Sequence, residues 1–286
     1  MLVDLHTHST ASDGTDRPAR LVQRAAAAGI DVLAITDHDT TGGWEDALAA
    51  RPKGMTIVPG AEFSCVHVGD DGRRVSLHLL GYLFDPDAEP LRTERARLRE
   101  SRLTRGRQMV DRLVADDVPI TWAQVTRIAD GGAVGRPHIG RALVESGVVP
   151  DVNTAFRDWL TSRRGYYVRK ADMDVFAAIA AIRAAGGLPV FAHPMAHRRG
   201  PIVEDSVIVA MAQAGLVGLE VDHPDHDADD RAHAAGIAAE LSLIGTGSSD
   251  YHGTNKTTPL AACTTSAEAW ERLLALPTAR RPVGDR

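Results

Sequence analysis

Short apolar runs alternate with alanine-rich amphipathic stretches along most of the chain, the rhythm of parallel βα units. LVDL (2–5) predicts a first strand, and PARLVQRAAAAG (18–29) a helix that opens on proline and stops at glycine. DVLAIT (31–36) predicts a second strand, WEDALAA (44–50) a short helix and MTIVPGAEF (55–63) a third strand. FSCVHV and RRVSLHLLGYLF flank GDDG, a hairpin signal. DPDAEP (85–90) breaks the rhythm, and residues 91 to about 185 read as wholly helical. The alternation resumes with strands at 188–192, 217–221 and 241–246, helices around 204–214 and 228–240, and a last helix near 266–275. A polar tail follows that is expected to be loose, and there is no internal repeat. The pattern predicts one α/β barrel-like domain, residues 1–85 and 186–286, interrupted by a helical insertion at 86–185.

Composition narrows the class. A chain of 286 residues with 44% hydrophobic content can bury a large core. A net charge of −6 argues against a protein that coats nucleic acid generally, while leaving room for a local basic site. No run long enough to span a membrane occurs, and the first residues lack the basic and apolar regions of a secretory signal. Cys65 and Cys263 follow no metal-binding or disulfide spacing. The expectation is a cytoplasmic protein without a stable protein partner.

Chemistry enters at the ends of the predicted strands. LVDL runs into His6 and His8, VLAIT into Asp37-His38-Asp39, and TIVPGA into Glu62. The second hairpin strand carries His78, PVFA is followed by His193, GLEV by Asp222-His223, and LIGTGSS by Asp250-Tyr251-His252. In parallel α/β folds those ends converge on one rim, where active sites are built. Residues i and i+2 of a strand share a face, so His6 and His8 can reach one ion together. With Asp13, the candidate ligands are His6, His8, Asp13, His38, Glu62, His78, His193, Asp250 and His252. Nine candidates exceed what one ion can use, whereas two or three ions can share them if Glu62 bridges. Imidazole and carboxylate without thiolate suit Mn²⁺, Fe²⁺ or Zn²⁺. Three divalent ions against three carboxylates leave an excess of positive charge, a site that favours phosphate and acidifies bound water. His67, His197, His226 and His233 match no such position and are read as structural or solvated.

The motifs DLHTHSTASDG, ITDHDT, GAEFS, HLLGY, FAHP and GSSDYHG, in this order from residue 2 to about 255, resemble the PHP (polymerase and histidinol phosphatase) domain family. That resemblance implies a distorted (β/α)7 barrel and a trinuclear metal-dependent phosphoesterase. It implies a first metal on His6, His8, Glu62 and Asp250, a second on Asp13, His38 and His252, and a third on Glu62, His78 and His193. Asp13 stands where some members have histidine, and Asp37 is expected to orient a ligand histidine. The insertion resembles that of stand-alone nucleoside 3′,5′-bisphosphate phosphatases, some relatives of which trim RNA from its 5′ end. GRPHIGRAL (135–143) and YYVRKADM (166–173) carry this likeness, so Arg136 and Lys170 would hold a phosphate that is not cut, with His223 a further substrate contact. No side chain is assigned as nucleophile; that role falls to a hydroxide held by the metals.

The expected function is 3′-phosphate removal from a nucleoside 3′,5′-bisphosphate. The rivals are a 5′–3′ exonuclease on short RNA, a nucleotide 5′-monophosphatase and a histidinol-phosphate phosphatase. A non-catalytic scaffold module is the rival outside the enzymes, although such a module would not need every ligand. The arginine-rich stretch 91–113, interleaved with glutamate and apolar residues, reads as a solvated amphipathic helix facing the barrel.

Overall fold

The computed structural model describes residues 1–132, 134–169 and 171–285. The chain opens with β1 (Val3–Asp4), α1 (Pro18–Ala27), β2 (Val32–Ile35), α2 (Trp44–Ala49), β3 (Thr56–Val68) and β4 (Arg74–Tyr82). The insertion brings α3 (Leu91–Ala115), α4 (Trp122–Ala129), α5 (Arg136–Glu145) and a short α6 (Val152–Thr154) that continues as one π-helical turn to Trp159. Then come β5 (Met173–Asp174), α7 (Val175–Ala184), β6 (Leu188–Phe191), α8 (Asp205–Gln213), β7 (Gly218–Asp222), α9 (Ala228–Glu240), β8 (Ile244–Gly247) and α10 (Ala267–Ala275).

The sheet runs β1-β2-β3-β4-β6-β7-β8, with β5 paired to β3. Most neighbours are parallel, but β4 is antiparallel to both β3 and β6. The cause is the short Val68–Arg74 turn, since only antiparallel strands can be joined so tightly. A parallel bridge between Thr7 and Tyr251 draws the first and last strands together and nearly closes the barrel. Strand side chains alternate between two apolar clusters. Leu33, Ile35, Ile57 and Phe63 face the surrounding helices, whereas Val32, Ala34, Val58 and Leu80 join Trp270 and Leu273 of α10.

The insertion has a core of its own, built from Met109, Val110, Leu113, Ile128, Ile139, Leu143 and Leu160. Helix α3 serves both bodies, because Leu91 and Leu98 near its start lie in the barrel cluster. Three expectations are corrected. Residues 91–185 are not wholly helical: β5 pairs with Cys65 and Val66 of β3. Val175, Ala178, Ile179 and Ile182 of α7 pack into the barrel core, so the chain rejoins the barrel before residue 186. The tail is not loose, because Val283 exchanges two 2.9 Å backbone hydrogen bonds with Ile57 and Asp285 pairs with Arg51 at 2.9 Å.

Candidate metal centre

All nine candidate ligands meet at the rim of the barrel. The two opening histidines lie just beyond β1 rather than within it. Their shared direction survives because the segment stays extended: Thr7 points the other way and gives its hydroxyl to the Ala34 carbonyl at 2.6 Å. His6 Nε2 and His8 Nε2 stand 3.0 Å apart. Glu62 Oε2 is 3.2 Å from the first and 3.0 Å from the second, and Asp250 Oδ1 is 3.5 and 3.4 Å from them. The edge of a tetrahedron of nitrogen and oxygen ligands around a zinc-sized ion is about 3.3 Å. Five such spacings among four residues around one point fit a cation.

Two further groups adjoin. His8, Asp13, His38 and His252 offer ligand atoms close together, as do His38, Glu62 and His78. Asp13 lies 3.4 Å from His252 Nε2 and 3.7 Å from His38 Nε2. Glu62 Oε1 meets His78 Nδ1 at 2.6 Å and His193 Nε2 at 3.1 Å, while its other oxygen meets His38 Nδ1 at 3.1 Å. The carboxylate thus stands between groups, as a bridging ligand must. The contact of His38 Nδ1 with Glu62 lacks hydrogen-bond geometry, which leaves this buried nitrogen free to ligate. On these grounds the residues fit divalent metal.

Protonation follows the same logic. Against burial, which opposes it, contacts with Asp250 and Glu62 raise the His8 imidazole to about 9, a measure of how strongly these carboxylates favour positive charge there. Burial holds His38 and His193 well below the ordinary histidine range and His252 at about 4, leaving neutral imidazoles ready to ligate. The Nδ1–H of His252 donates to the Asp250 carbonyl at 2.8 Å, which leaves Nε2 as the lone-pair nitrogen turned to Asp13. Against burial, the imidazoles of His38, His78 and His6 keep Glu62 well below the usual carboxylate range. His193 and Asp250 adopt positive φ angles of 33° and 50°, a conformation non-glycine residues rarely hold outside functional sites.

A PHP domain model matches residues 4–112. Over 252 residues, 87% of each chain, the protein is 36% identical to the 3′,5′-nucleoside bisphosphate phosphatase of Chromobacterium violaceum. The chain belongs to the PHP family. It is 35% identical over 253 residues, 87% of this chain and 89% of the other, to a 5′-3′ exoribonuclease of Haemophilus influenzae. A solved structure from Bifidobacterium adolescentis, assigned as a metal-dependent phosphoesterase, superposes with a TM-score of 0.86 at 36% identity, covering 95% of this chain and 94% of that one. This PHP protein is a metal-dependent phosphoesterase.

Several residues that position the PHP centre were not legible as such. Glu220, fully buried in β7, receives His6 Nδ1 at 3.3 Å, the His193 backbone N–H at 2.7 Å and the Ser248 hydroxyl. A carboxylate behind a ligand imidazole fixes its tautomer and aims its other nitrogen at the ion. The one available signal was an acid inside the apolar run VGLEV. Asp37 reaches a candidate ligand histidine through Ser12, whose hydroxyl donates to Asp37 and stands 3.4 Å from His8 Nδ1. It takes the Ser9 N–H, the Ser9 hydroxyl and the Ser12 hydroxyl at 2.7–2.8 Å, and so holds the turn that presents Asp13. Gly14 closes that turn, where a Cβ would lie 2.4 Å from the His8 carbonyl oxygen. Two of the arginines read as solvated are not: Arg105 is buried and Arg102 largely so. Arg102 reaches from α3 to Asp39 and Ser64 at 2.6 Å, and Arg105 gives Nε–H to the Val168 carbonyl at 2.5 Å.

Arg136 stands over the rings of Phe156 and Tyr167, 5.1 and 5.6 Å from their centroids. Lys170 lies outside the described residues. His223, expected to contact substrate, lines a cavity beside Asp250; its Nδ1 accepts from the Asp225 N–H at 3.0 Å and its Nε2 meets Asp250 Oδ2 at 3.3 Å. It positions Asp250. His226 is likewise structural, bonded to Met195 N–H and the Val221 carbonyl, and His197 and His233 pair with acids on the surface. Among the described residues no helix is long and apolar enough to cross a membrane.

Proposed function

We propose that this protein removes the 3′-phosphate of a nucleoside 3′,5′-bisphosphate, using two or three divalent ions, Mn²⁺, Fe²⁺ or Zn²⁺. Divalent ions held by the nine ligands would supply an acidified water and neutralise charge on the phosphoryl oxygens. By position, His6, His8, Glu62 and Asp250 would hold one ion, Asp13, His38 and His252 another, and Glu62, His78 and His193 a third. The chain's own residues do the rest. Glu220 and Asp250's partners fix the ligands, and Arg102 ties the insertion to Asp39, the residue after His38.

The observation that carries the substrate reading is the pair Arg105 and Arg136. Both guanidiniums lie against Tyr167, at 5.1 and 5.6 Å, on the insertion side of the cluster. Burial, and after it the charge of Arg136, push Arg105 down to about 10, so two cations stand close together in a shielded place. A phosphate that stays attached to the substrate would balance them, and arginine forks suit phosphate oxygens. The Chromobacterium relative's name supports the bisphosphate reading. Histidinol phosphate offers no second anion. A 5′–3′ exonuclease is the second reading, supported by the Haemophilus relative and by a groove between α5, α6 and residues 254–257.

With Mn²⁺ added, phosphate release is compared for nucleoside 3′,5′-bisphosphate, nucleotide 5′-monophosphate, histidinol phosphate and a 5′-phosphorylated trinucleotide. The bisphosphate is expected to have the highest kcat/KM, and Arg136→Ala to lower it without loss on a generic phosphate ester. Equal loss on both would refute the role of Arg136, and preference for the trinucleotide would favour the exonuclease.

A further inference from the structure

On the Asp250 side of the cluster, away from Arg105 and Arg136, a cavity of about 250 Å³ opens between the insertion and the loop after β8. Arg199, Lys256, Asn153, Asn255, Thr257 and Thr258 line it together with His223 and Asp225. Two cations converge there on one oxygen: Arg199 and Lys256 reach Asp250 Oδ2 at 2.6 and 2.5 Å. Arg199 also gives Nε–H to Asp225 at 2.6 Å. Each cation remains about a third exposed, so its unused donors face the cavity. Arginine has five N–H donors and lysine three, more than these bonds consume.

The charge count points to a ligand. Arg199 and Lys256 are balanced by Asp225 and Asp250 only while Asp250 serves them alone. Asp250 Oδ1, however, faces His6 and His8 in the metal group. Once that carboxylate is shared with a divalent ion, the cavity wall carries net positive charge. The neutral donors Asn153, Asn255, Thr257 and Thr258 surround it. A second cavity of about 380 Å³, lined by Arg141 and Asp151 of the insertion among others, shares Asn153, Asn255, Lys256 and Thr257 with the first. The two form one groove of the size that takes a small ligand.

We propose that the Arg199–Lys256 cavity, which shares Asp250 with the metal cluster, is a phosphate-binding site of its own, distinct from the Arg105–Arg136 pair. Its ligand is a phosphate group, either one attached to the substrate beyond the scissile ester or the free phosphate leaving the cluster. The identity of that anion rests on the phosphatase reading; the existence of the site does not.

The test is equilibrium dialysis of the Mn²⁺-loaded full chain with radiolabelled inorganic phosphate, with metal content measured in parallel. Lys256→Ala, which removes a charged contact, and Thr258→Glu, which sets a carboxylate against the anion, are each expected to bind one phosphate fewer than the unaltered chain, or to bind it about ten- to a hundredfold more weakly. Thr258→Glu decides if Lys256→Ala also loses metal. The double variant Arg136→Ala/Lys256→Ala should lose two phosphates. Unchanged phosphate binding in both single variants, or a double variant no worse than Arg136→Ala, overturns the proposal. Kinetics then separate the two sources. A substrate phosphate predicts a raised KM for a dinucleotide carrying both 3′- and 5′-terminal phosphates, with kcat unchanged. A departing phosphate predicts unchanged KM and weaker product inhibition. A protein that cleaved no ester would refute the phosphatase reading, while the dialysis would still judge the cavity.

Discussion

Glu220→Gln tests whether the cluster depends on the residues behind its ligands. Glu220 accepts three donors on two oxygens: His6 Nδ1–H, the His193 N–H and the Ser248 hydroxyl. Glutamine keeps the shape but has one acceptor oxygen, and its NH₂ must face a donor. One buried donor loses its partner, at a cost of about 1–3 kcal/mol. That cost falls on the two segments that carry ligands His6 and His193. Loss of an outer carboxylate of this kind typically lowers metal affinity about 10–100-fold. The assay is Mn²⁺ titration of the chelator-stripped protein, read by bound metal and by phosphate release. The midpoint should move to higher Mn²⁺ by that factor, with activity largely restored at saturation. An unchanged midpoint in a folded variant would refute the idea that Glu220 aims His6.

His8→Ala should lower bound metal and abolish turnover, because His8 stands in two ligand groups; full activity with unchanged metal content would contradict the site. Arg102→Ala removes the cationic partner of the fully buried Asp39 and should destabilise the fold by about 3 kcal/mol in urea unfolding, as breaking a buried pair does. Burial lowers His138 to about 4 from an ordinary 6.5, and its Nδ1 accepts from the Gly135 N–H at 2.9 Å. The unfolded chain therefore binds the proton first as pH falls, so stability present above pH 6.5 is lost progressively down to about pH 4, by at most about 3 kcal/mol. His138→Gln should flatten the unfolding midpoint over that range.

The barrel was legible because all its strands but β5 announced themselves by an apolar run, and most also by a ligand-type residue in or just after it. His6, His38, Glu62 and His193 could be found without knowing how strands pair. What was hidden depends on partners distant in sequence. Glu220 looks like an exposed strand acid until His6 and Ser248 are seen to converge on it. Arg102 and Arg105 share a helix with solvated arginines paired to nearby acids, such as Arg97 with Glu94 and Arg107 with Asp111, so periodicity alone could not separate them. The return of the chain at β5 was missed because two strand residues leave no period to read. His223 was a fair candidate for substrate by position; what position could not show is that the Asp225 N–H fixes its tautomer and turns it to Asp250.

The most direct test follows the two phosphates of nucleoside 3′,5′-bisphosphate by ³¹P NMR during incubation with the Mn²⁺-loaded protein. The 3′ resonance should disappear as inorganic phosphate and a nucleoside 5′-monophosphate appear, and chelator should stop the change. A nucleoside 3′-monophosphate product, or turnover that persists in the His8→Ala chain stripped of metal, would contradict the account.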